Sequence, residues 1–322
     1  MTMVLVDIQG IKKYYNARAG FIAKERASVK AVDMVSLQIY SGETLGLVGE
    51  SGCGKSTLAR LIIRLDLPTE GRILFEGEDI SKLAGKDLKA YRKKVQIIFQ
   101  DPYASLNPRR TAGSTIGEPL LINHVYDREG RSLEVARIMD LVGLTSEQKD
   151  RYPHEFSGGQ RQRIGIARAI ILKPQLIVAD EPVSALDVSI QAQILNLLKD
   201  LQKEFNLTYI FISHDLSVVR HVSDRIAVMH FGKIVELADN RELYEHPLHP
   251  YTMELLSAVP TSDPGRKKQH LIREAEATSG TDGSGRCPFY PRCPARFEIC
   301  EKDKPGLIDR GGRHYVACHA QG

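Results

Sequence analysis

Long apolar runs are missing from this 322-residue chain: no 18 consecutive apolar residues occur, so no segment reads as a membrane-spanning helix. The N-terminal region has neither an apolar signal-peptide core nor a transit-peptide bias, and the chain is expected to stay in the cytosol, meeting a membrane only through a partner. Excess charge is also scarce. Lys and Arg number 44 against 40 Asp and Glu, and a net charge of +4 spread so thinly gives no field of the kind nucleic-acid binders display. Nucleic acid is therefore not an expected partner. No internal repeat or low-complexity tract stands out. Cysteine is nearly absent until the end: Cys53 stands apart, while Cys287, Cys293, Cys300 and Cys318 crowd into the last 36 residues. In a reducing cytosol this clustering argues against two structural disulfides and for a metal or iron–sulfur site. The length suits one large and one modest domain.

What is present is more specific. Gly49-Glu50-Ser51-Gly52-Cys53-Gly54-Lys55-Ser56-Thr57 follows the apolar strand Thr44 to Val48 and opens a helical pattern. This is a phosphate-binding P-loop in its proper setting. Glycines let successive backbone N–H groups turn around an anion, and the helix N-terminus adds positive potential. Lys55 can reach the outer phosphates and the Ser56 hydroxyl can ligate magnesium, so the expected ligand is a nucleoside triphosphate.

Around this loop the pattern predicts an α/β fold of the P-loop NTPase type, with a mostly parallel sheet, an antiparallel β subdomain and a helical subdomain. Short apolar runs at Val4 to Ile8, Ser36 to Ile39 and Arg72 to Glu76 read as strands wrapped about the P-loop. Val95 to Phe99 reads as a strand delivering Gln100 into the polar loop Asp101 to Pro108, and apolar residues recur at helical spacing from about Thr111 to Ala169, within a helical subdomain of about residues 101–169. Leu176 to Ala179 and Thr208 to Ser213 read as strands buried on both faces. Between them, Ile190, Ile194, Leu197, Leu198, Leu201 and Phe205 mark one helix face. A hairpin is expected at Phe231-Gly232, and Thr261 to Arg286 reads as a polar, partly flexible connector.

Chemistry-bearing residues fall at the strand ends. Asp180 can hold magnesium while Glu181 can polarise the water that attacks the γ-phosphorus. Gln100 can reach the magnesium and that water through its amide oxygen, and His214 can donate to the γ-phosphate. Ser157-Gly158-Gly159-Gln160 before an apolar-periodic run reads either as an ordinary helix cap or as a second anion-binding turn, with phosphate contact the favoured reading.

Gly49 to Thr57, Gln100, Phe156 to Gln160, Asp180-Glu181, Ser184 to Asp187 and His214 resemble, in order, the P-loop, Q-loop, signature, Walker B, D-loop and switch histidine of ABC transporter ATPases. Phe156 departs from the usual Leu and keeps an apolar anchor. The resemblance covers residues 1–245 and implies ATP with Mg²⁺ as cofactors, Ser56, Gln100 and Asp180 about the magnesium, and catalysis by Glu181, His214 and Gln100. Tyr15 matches the family's adenine-stacking aromatic, with Tyr14 as the competitor. It further implies a second ATPase subunit, identical or different. Ser157, Gly158, Gly159 and Gln160 of one chain would cover ATP on the other chain's P-loop, and the loop Asp101 to Pro108 would grip membrane subunits.

The tail narrows the resemblance. His246 to Thr252 and the segment from Cys287 to Cys300 resemble the C-terminal extension of dipeptide and oligopeptide importer ATPases, which makes residues 246–322 a small cysteine-rich domain. That extension is associated with an iron–sulfur cluster, and Cys287, Cys293, Cys300 and Cys318, spaced C-x5-C-x6-C-x17-C, supply the four thiolates a [4Fe–4S] cube takes. Zinc and free thiols remain rival readings, and His319 is an alternative ligand. So small a tail lacks apolar mass, and a metal centre would supply its fold. The whole implies the ATP-hydrolysing subunit of a peptide importer on the cytoplasmic face of the membrane, with two permease subunits and, through them, an extracellular binding protein. A soluble ABC ATPase without a membrane partner and a metal-cluster nucleotide sensor are the alternatives.

Overall fold

The computed structural model describes residues 3–16, 28–258 and 285–321. The connector expected from Thr261 to Arg286 lies almost wholly outside the described residues. The first elements are strands β1 (Val4–Asn16), β2 (Ser28–Tyr40) and β3 (Thr44–Val48), helix α1 (Lys55–Ile62), and strands β4 (Glu70–Phe75) and β5 (Glu78–Asp79). Helix α2 (Gly85–Lys94) and strand β6 (Val95–Ile98) follow, then helices α3 (Ala112–Ile122), α4 (Arg128–Leu141) and α5 (Gly158–Ile170). Next come β7 (Leu176–Asp180), α6 (Val188–Phe205), β8 (Thr208–Ser213), α7 (Leu216–Val222) and the antiparallel pair β9 (Arg225–His230) and β10 (Lys233–Asp239). The chain ends with α8 (Asn240–Glu245), α9 (Pro250–Ser257), α10 (Ile299–Lys302), β11 (Ile308–Asp309) and β12 (Tyr315–Val316).

Two sheets organise these elements. The smaller is antiparallel, in the order β2-β1-β4-β5, and the larger has eight strands in the order β11-β12-β10-β9-β3-β8-β7-β6. Its middle is parallel: Val48 of β3 lies opposite Ser213 of β8, Asp180 of β7 opposite Ile212, and Ile98 of β6 opposite Ala179. Strands covered on both faces need no polar alternation, and every residue of β3 and β8 is buried. One core lies between the larger sheet and the helical elements, including Ile116, Ile138, Ile164, Phe211 and Phe289. A second fills the space between the two sheets around Ile8, Ile39, Leu58 and Ile212.

Local chemistry explains several boundaries. The hairpin at Phe231-Gly232 has positive φ at both central residues, 40° and 79°, the signature of a primed two-residue turn. Helix α5 begins at a reciprocal cap, with the Gln160 N–H donating to Ser157 Oγ at 3.3 Å and the Ser157 N–H donating to Gln160 Oε1 at 3.0 Å. Helix α6 buries Ile194, Leu195, Leu198 and Leu201, while Ile190, Leu197 and Phe205 of the expected face pack partly buried beside them.

The tail is joined to the ATPase core: β12 adds to β10, with Val316 opposite Glu236 and Tyr315 opposite Leu237, and Phe289 and Tyr251 enter the core. Glu236, fully buried, accepts from the N–H groups of Leu248 and His249 at 2.7 and 2.9 Å and from His314 Nε2 at 2.7 Å. A buried carboxylate without partners would be prohibitively costly; three donors make it a rivet between sheet and tail.

The hydrogen bond that His314 donates to Glu236, helped by the charges of Glu236 and Glu242, raises the pKa of His314 above the ordinary histidine value. Its stabilising contribution is thus complete below that ordinary value and fades as pH rises through the raised one. The melting temperature of wild type should exceed that of His314→Gln clearly at about pH 6, with the gap narrowing towards about pH 9. Thermal melts across that range check it, and a gap that widens at alkaline pH would contradict the assignment.

Candidate active site

Four parallel strands ending at one sheet edge bring the expected residues together. The P-loop follows β3, Gln100 follows β6, Asp180 ends β7 and His214 follows β8. A cleft of about 630 Å³ opens there, lined by Ser51 to Thr57, Gln100, Glu181 and His214. Gly49 and Asp180 sit behind this lining.

The loop's path needs glycine at two places. At Gly49, with φ 152°, a Cβ would fall 2.1 Å from the Met229 carbonyl oxygen; at Gly54, with φ 112°, it would fall 2.1 Å from that of Ala31. Both approaches pin the loop against β9 and β2. Cys53, almost fully buried, has its thiol pushed up by burial, and its carbonyl accepts from the Gly232 N–H at 2.8 Å. The Lys55 ammonium is turned onto the loop itself, donating to the carbonyls of Gly49 and Glu50 at 2.8 and 2.9 Å. Those neutral carbonyls are weaker partners than phosphate oxygens, so the lysine can be drawn outward by an anion.

Across the cleft, Gln100 Nε2 donates to Glu181 Oε2 at 2.9 Å and His214 Nδ1 lies 3.2 Å from Glu181 Oε1. Both side chains converge on the proposed base. Ser56 Oγ donates to Asp180 Oδ1 at 3.2 Å, which joins two of the expected magnesium ligands. Burial, and after it the neighbouring charge of Glu181, raises the pKa of Asp180, so the bare pair carries an unrelieved electrostatic cost that a divalent cation would remove. The donor set of hydroxyl, carboxylate and amide oxygens suits magnesium. Glu181 itself has φ 48°, a left-handed conformation rare for a side chain of its kind, and its N–H donates to the Ile212 carbonyl at 3.0 Å.

Some expected residues lie apart. Ser157 and Gly158 are exposed, and none of Ser157 to Gln160 lines this chain's cleft. The Ser157 side chain serves as the cap of α5. Neither Tyr15 nor Tyr14 lines the cleft; Tyr15 is the more open, its hydroxyl donating to Asp66 at 3.2 Å, while Tyr14 donates to Asp33 at 2.6 Å. Lys30, Ala31 and Phe231 line the cleft and escaped sequence reasoning. Lys30 and Ala31 sit in a strand recognised only further along, and Phe231 was legible only as a turn. In the loop Asp101 to Pro108, Tyr103 is exposed and the Arg161 guanidinium lies 5.1 Å from its ring centre, linking this loop to the signature helix.

The tail thiols do not form the expected metal centre as described. All four are free, and among the described residues no three His, Cys, Asp or Glu are gathered so as to hold a metal ion. Cys287, Cys293, Cys300 and Cys318 nevertheless lie within electrostatic reach of one another. Burial pushes the Cys287 thiol up to about 11 and raises those of Cys293 and Cys318, so metal binding there would release protons.

A P-loop after a central parallel strand, a carboxylate pair at the end of the next strand but one, and glutamine and histidine converging on its glutamate define a P-loop ATPase of the ABC type. The ABC transporter family description matches residues 32–184, and that of the oligopeptide/dipeptide transporter C-terminal region matches residues 235–300. The oligopeptide transport ATP-binding protein AppF of Bacillus subtilis is 53% identical over 98% of this chain and 97% of its own. The dipeptide transport ATP-binding protein DppF of Escherichia coli is 48% identical over 98% and 94%. The chain belongs to the family of oligopeptide and dipeptide ABC transporter ATP-binding proteins. Among solved structures, the ATP-binding cassette MJ0796, dimeric and bound to ADP and Pi in a post-hydrolysis state, is 31% identical and superposes with a TM-score of 0.65, covering 73% of this chain and 99% of that one.

Replacing Gly49 with Ala sets a methyl against the Met229 carbonyl. We expect Gly49→Ala to lose about 2–4 kcal/mol of stability and to bind ATP poorly. Denaturant melts and equilibrium binding of a fluorescent ATP analogue check both.

Proposed function

We propose that this chain is the ATP-hydrolysing subunit that powers import of dipeptides or oligopeptides, acting at the cytoplasmic face of the membrane. The observation that carries the catalytic part is the convergence of Gln100 and His214 on Glu181, facing the P-loop across one cleft. The tail and the relatives' names carry the choice of cargo. No helix among the described residues is long and apolar enough to cross a membrane, so the work of hydrolysis must pass to separate permease subunits. The exposed Tyr103 loop is the surface for that contact, and an extracellular binding protein supplies cargo through them.

ATP and magnesium are the cofactors. Lys55 and the P-loop N–H groups would hold the phosphates, Ser56, Asp180 and Gln100 the magnesium, and Tyr15 the adenine. Glu181 takes a proton from the attacking water while His214 and Gln100 fix its carboxylate. The exposed Ser157 turn does not line its own chain's cleft and would close a partner's, so that ATP joins two such subunits and hydrolysis releases them. The soluble ABC ATPase and the nucleotide sensor lack a counterpart among the relatives named above.

The finer reading of the tail, a [4Fe–4S] cluster on Cys287, Cys293, Cys300 and Cys318, rests on donor chemistry alone. Structural zinc sites use short C-x2–4-C hooks, which the C-x5-C-x6-C-x17-C spacing lacks. Iron content and visible absorption of Cys293→Ser against wild type decide it; equal iron in both removes the cluster.

Glu181→Gln should bind ATP, form stable dimers and turn over at least about a hundredfold more slowly. Ser157→Arg should bind ATP and fail to dimerise. Rapid hydrolysis by Ser157→Arg at high dilution would refute the shared site. Membrane pull-down with mass spectrometry tests the permease partners.

A further inference from the structure

The first turn of the P-loop is held from two sides, and only one of them belongs to the ATPase core. From inside, Lys55 donates to the Glu50 carbonyl at 2.9 Å. From outside, the Glu50 N–H donates to the Tyr251 hydroxyl at 2.9 Å, and the Glu50 carboxylate pairs with Arg292 Nη1 at 2.9 Å. Tyr251 lies in α9 and Arg292 between Cys287 and Cys293, so both outside contacts come from beyond residue 245.

These contacts are built rather than incidental. Tyr251 is fully buried, its ring centre 5.5 Å from that of Phe289 and 4.2 Å from that of His230. Arg292 lies 5.7 Å from the Phe289 ring centre, and its second nitrogen pairs with Glu254. A guanidinium shared between Glu50 and Glu254 and backed by an aromatic face has little freedom to leave. The inner contact is the opposite kind. Lys55 is the group a triphosphate would draw away, and when it leaves, the Glu50 peptide keeps the Cys53 N–H on its carbonyl at 3.2 Å and its outer partners.

We propose that Tyr251 and Arg292 are positioning residues that act through Glu50 to hold the P-loop in its nucleotide-binding shape, so that nucleotide affinity depends on the tail. This rests on the P-loop being the ATP site. The tail then does more than complete a sheet edge: Tyr251 and Arg292 set the backbone from which Ser51 to Lys55 present their N–H groups.

The test uses the full-length chain with its partners, measuring KM and kcat for ATP together with the Kd of a fluorescent ATP analogue. Tyr251→Phe and Arg292→Ala should each raise KM and Kd about five- to tenfold with kcat changed less than about twofold. Arg292→Lys, which can still pair with Glu50, should recover part of the loss. Arg292→Ala combined with Glu50→Gln should be no worse than the poorer single variant. If Arg292→Ala melts near room temperature, Tyr251→Phe and Glu50→Gln carry the test, since neither position lies within the cysteine segment 287–318. Unchanged KM and Kd in the single variants, or effects that simply multiply in the double, overturn the proposal. Analogue binding unaffected by Lys55→Ala would instead overturn the ATP-site reading itself.

Discussion

Parallel pairing in a fixed register is the constraint from which the site follows. Because β3, β8, β7 and β6 run the same way, all four carboxyl ends fall on one edge, and whatever residues follow them become neighbours. Gln100 and His214 are 114 positions apart in the chain and meet on Glu181 only through this register. A slip of one residue in β7 would turn Asp180 and Glu181 to opposite sides of the sheet, since side chains alternate along a strand. The apolar burial of these strands is thus the reason the polar constellation exists.

The cleft stores unresolved electrostatics in a definite pattern. Lys55 is satisfied by carbonyls it can give up, Asp180 is raised by burial and by Glu181, and Glu181 sits in an uncommon left-handed backbone. A magnesium-bound triphosphate would draw Lys55 outward and relieve the charge at Asp180. Charge frustration gathered in one cleft, while β3 and β8 beside it are wholly buried, suits a nucleotide switch.

The tail changes how the molecule is divided. Read as sequence, it is a polar appendage carrying four thiols; in the fold it lengthens the larger sheet, contributes Tyr251 and Phe289 to the core and meets the P-loop at Glu50. Buried Glu236, with three donors from Leu248, His249 and His314, is the polar counterpart of that apolar seam. The four cysteines remain near one another within a segment whose attachment is already secured by hydrogen bonds and aromatic packing.

Local patterns in the sequence determined a great deal: the P-loop after Thr44 to Val48, the buried strands before Asp180 and His214, the hairpin at Phe231-Gly232 and the helix from Val188 to Phe205. Each is legible because it depends on residues within a few positions, through glycine conformations, apolar periodicity or a cap. Strand extents were less legible. The expected Val4 to Ile8 and Ser36 to Ile39 are parts of strands running Val4–Asn16 and Ser28–Tyr40, since pairing with a neighbour lengthens a strand beyond its apolar stretch. The tertiary structure alone decided that Lys30 and Phe231 line the cleft, that β12 pairs with β10, and that Arg292 reaches Glu50 across 242 positions. No local signal marks such contacts, because a hydrogen bond or ion pair between distant segments is specified by where the folded sheet carries them and not by the residues beside them.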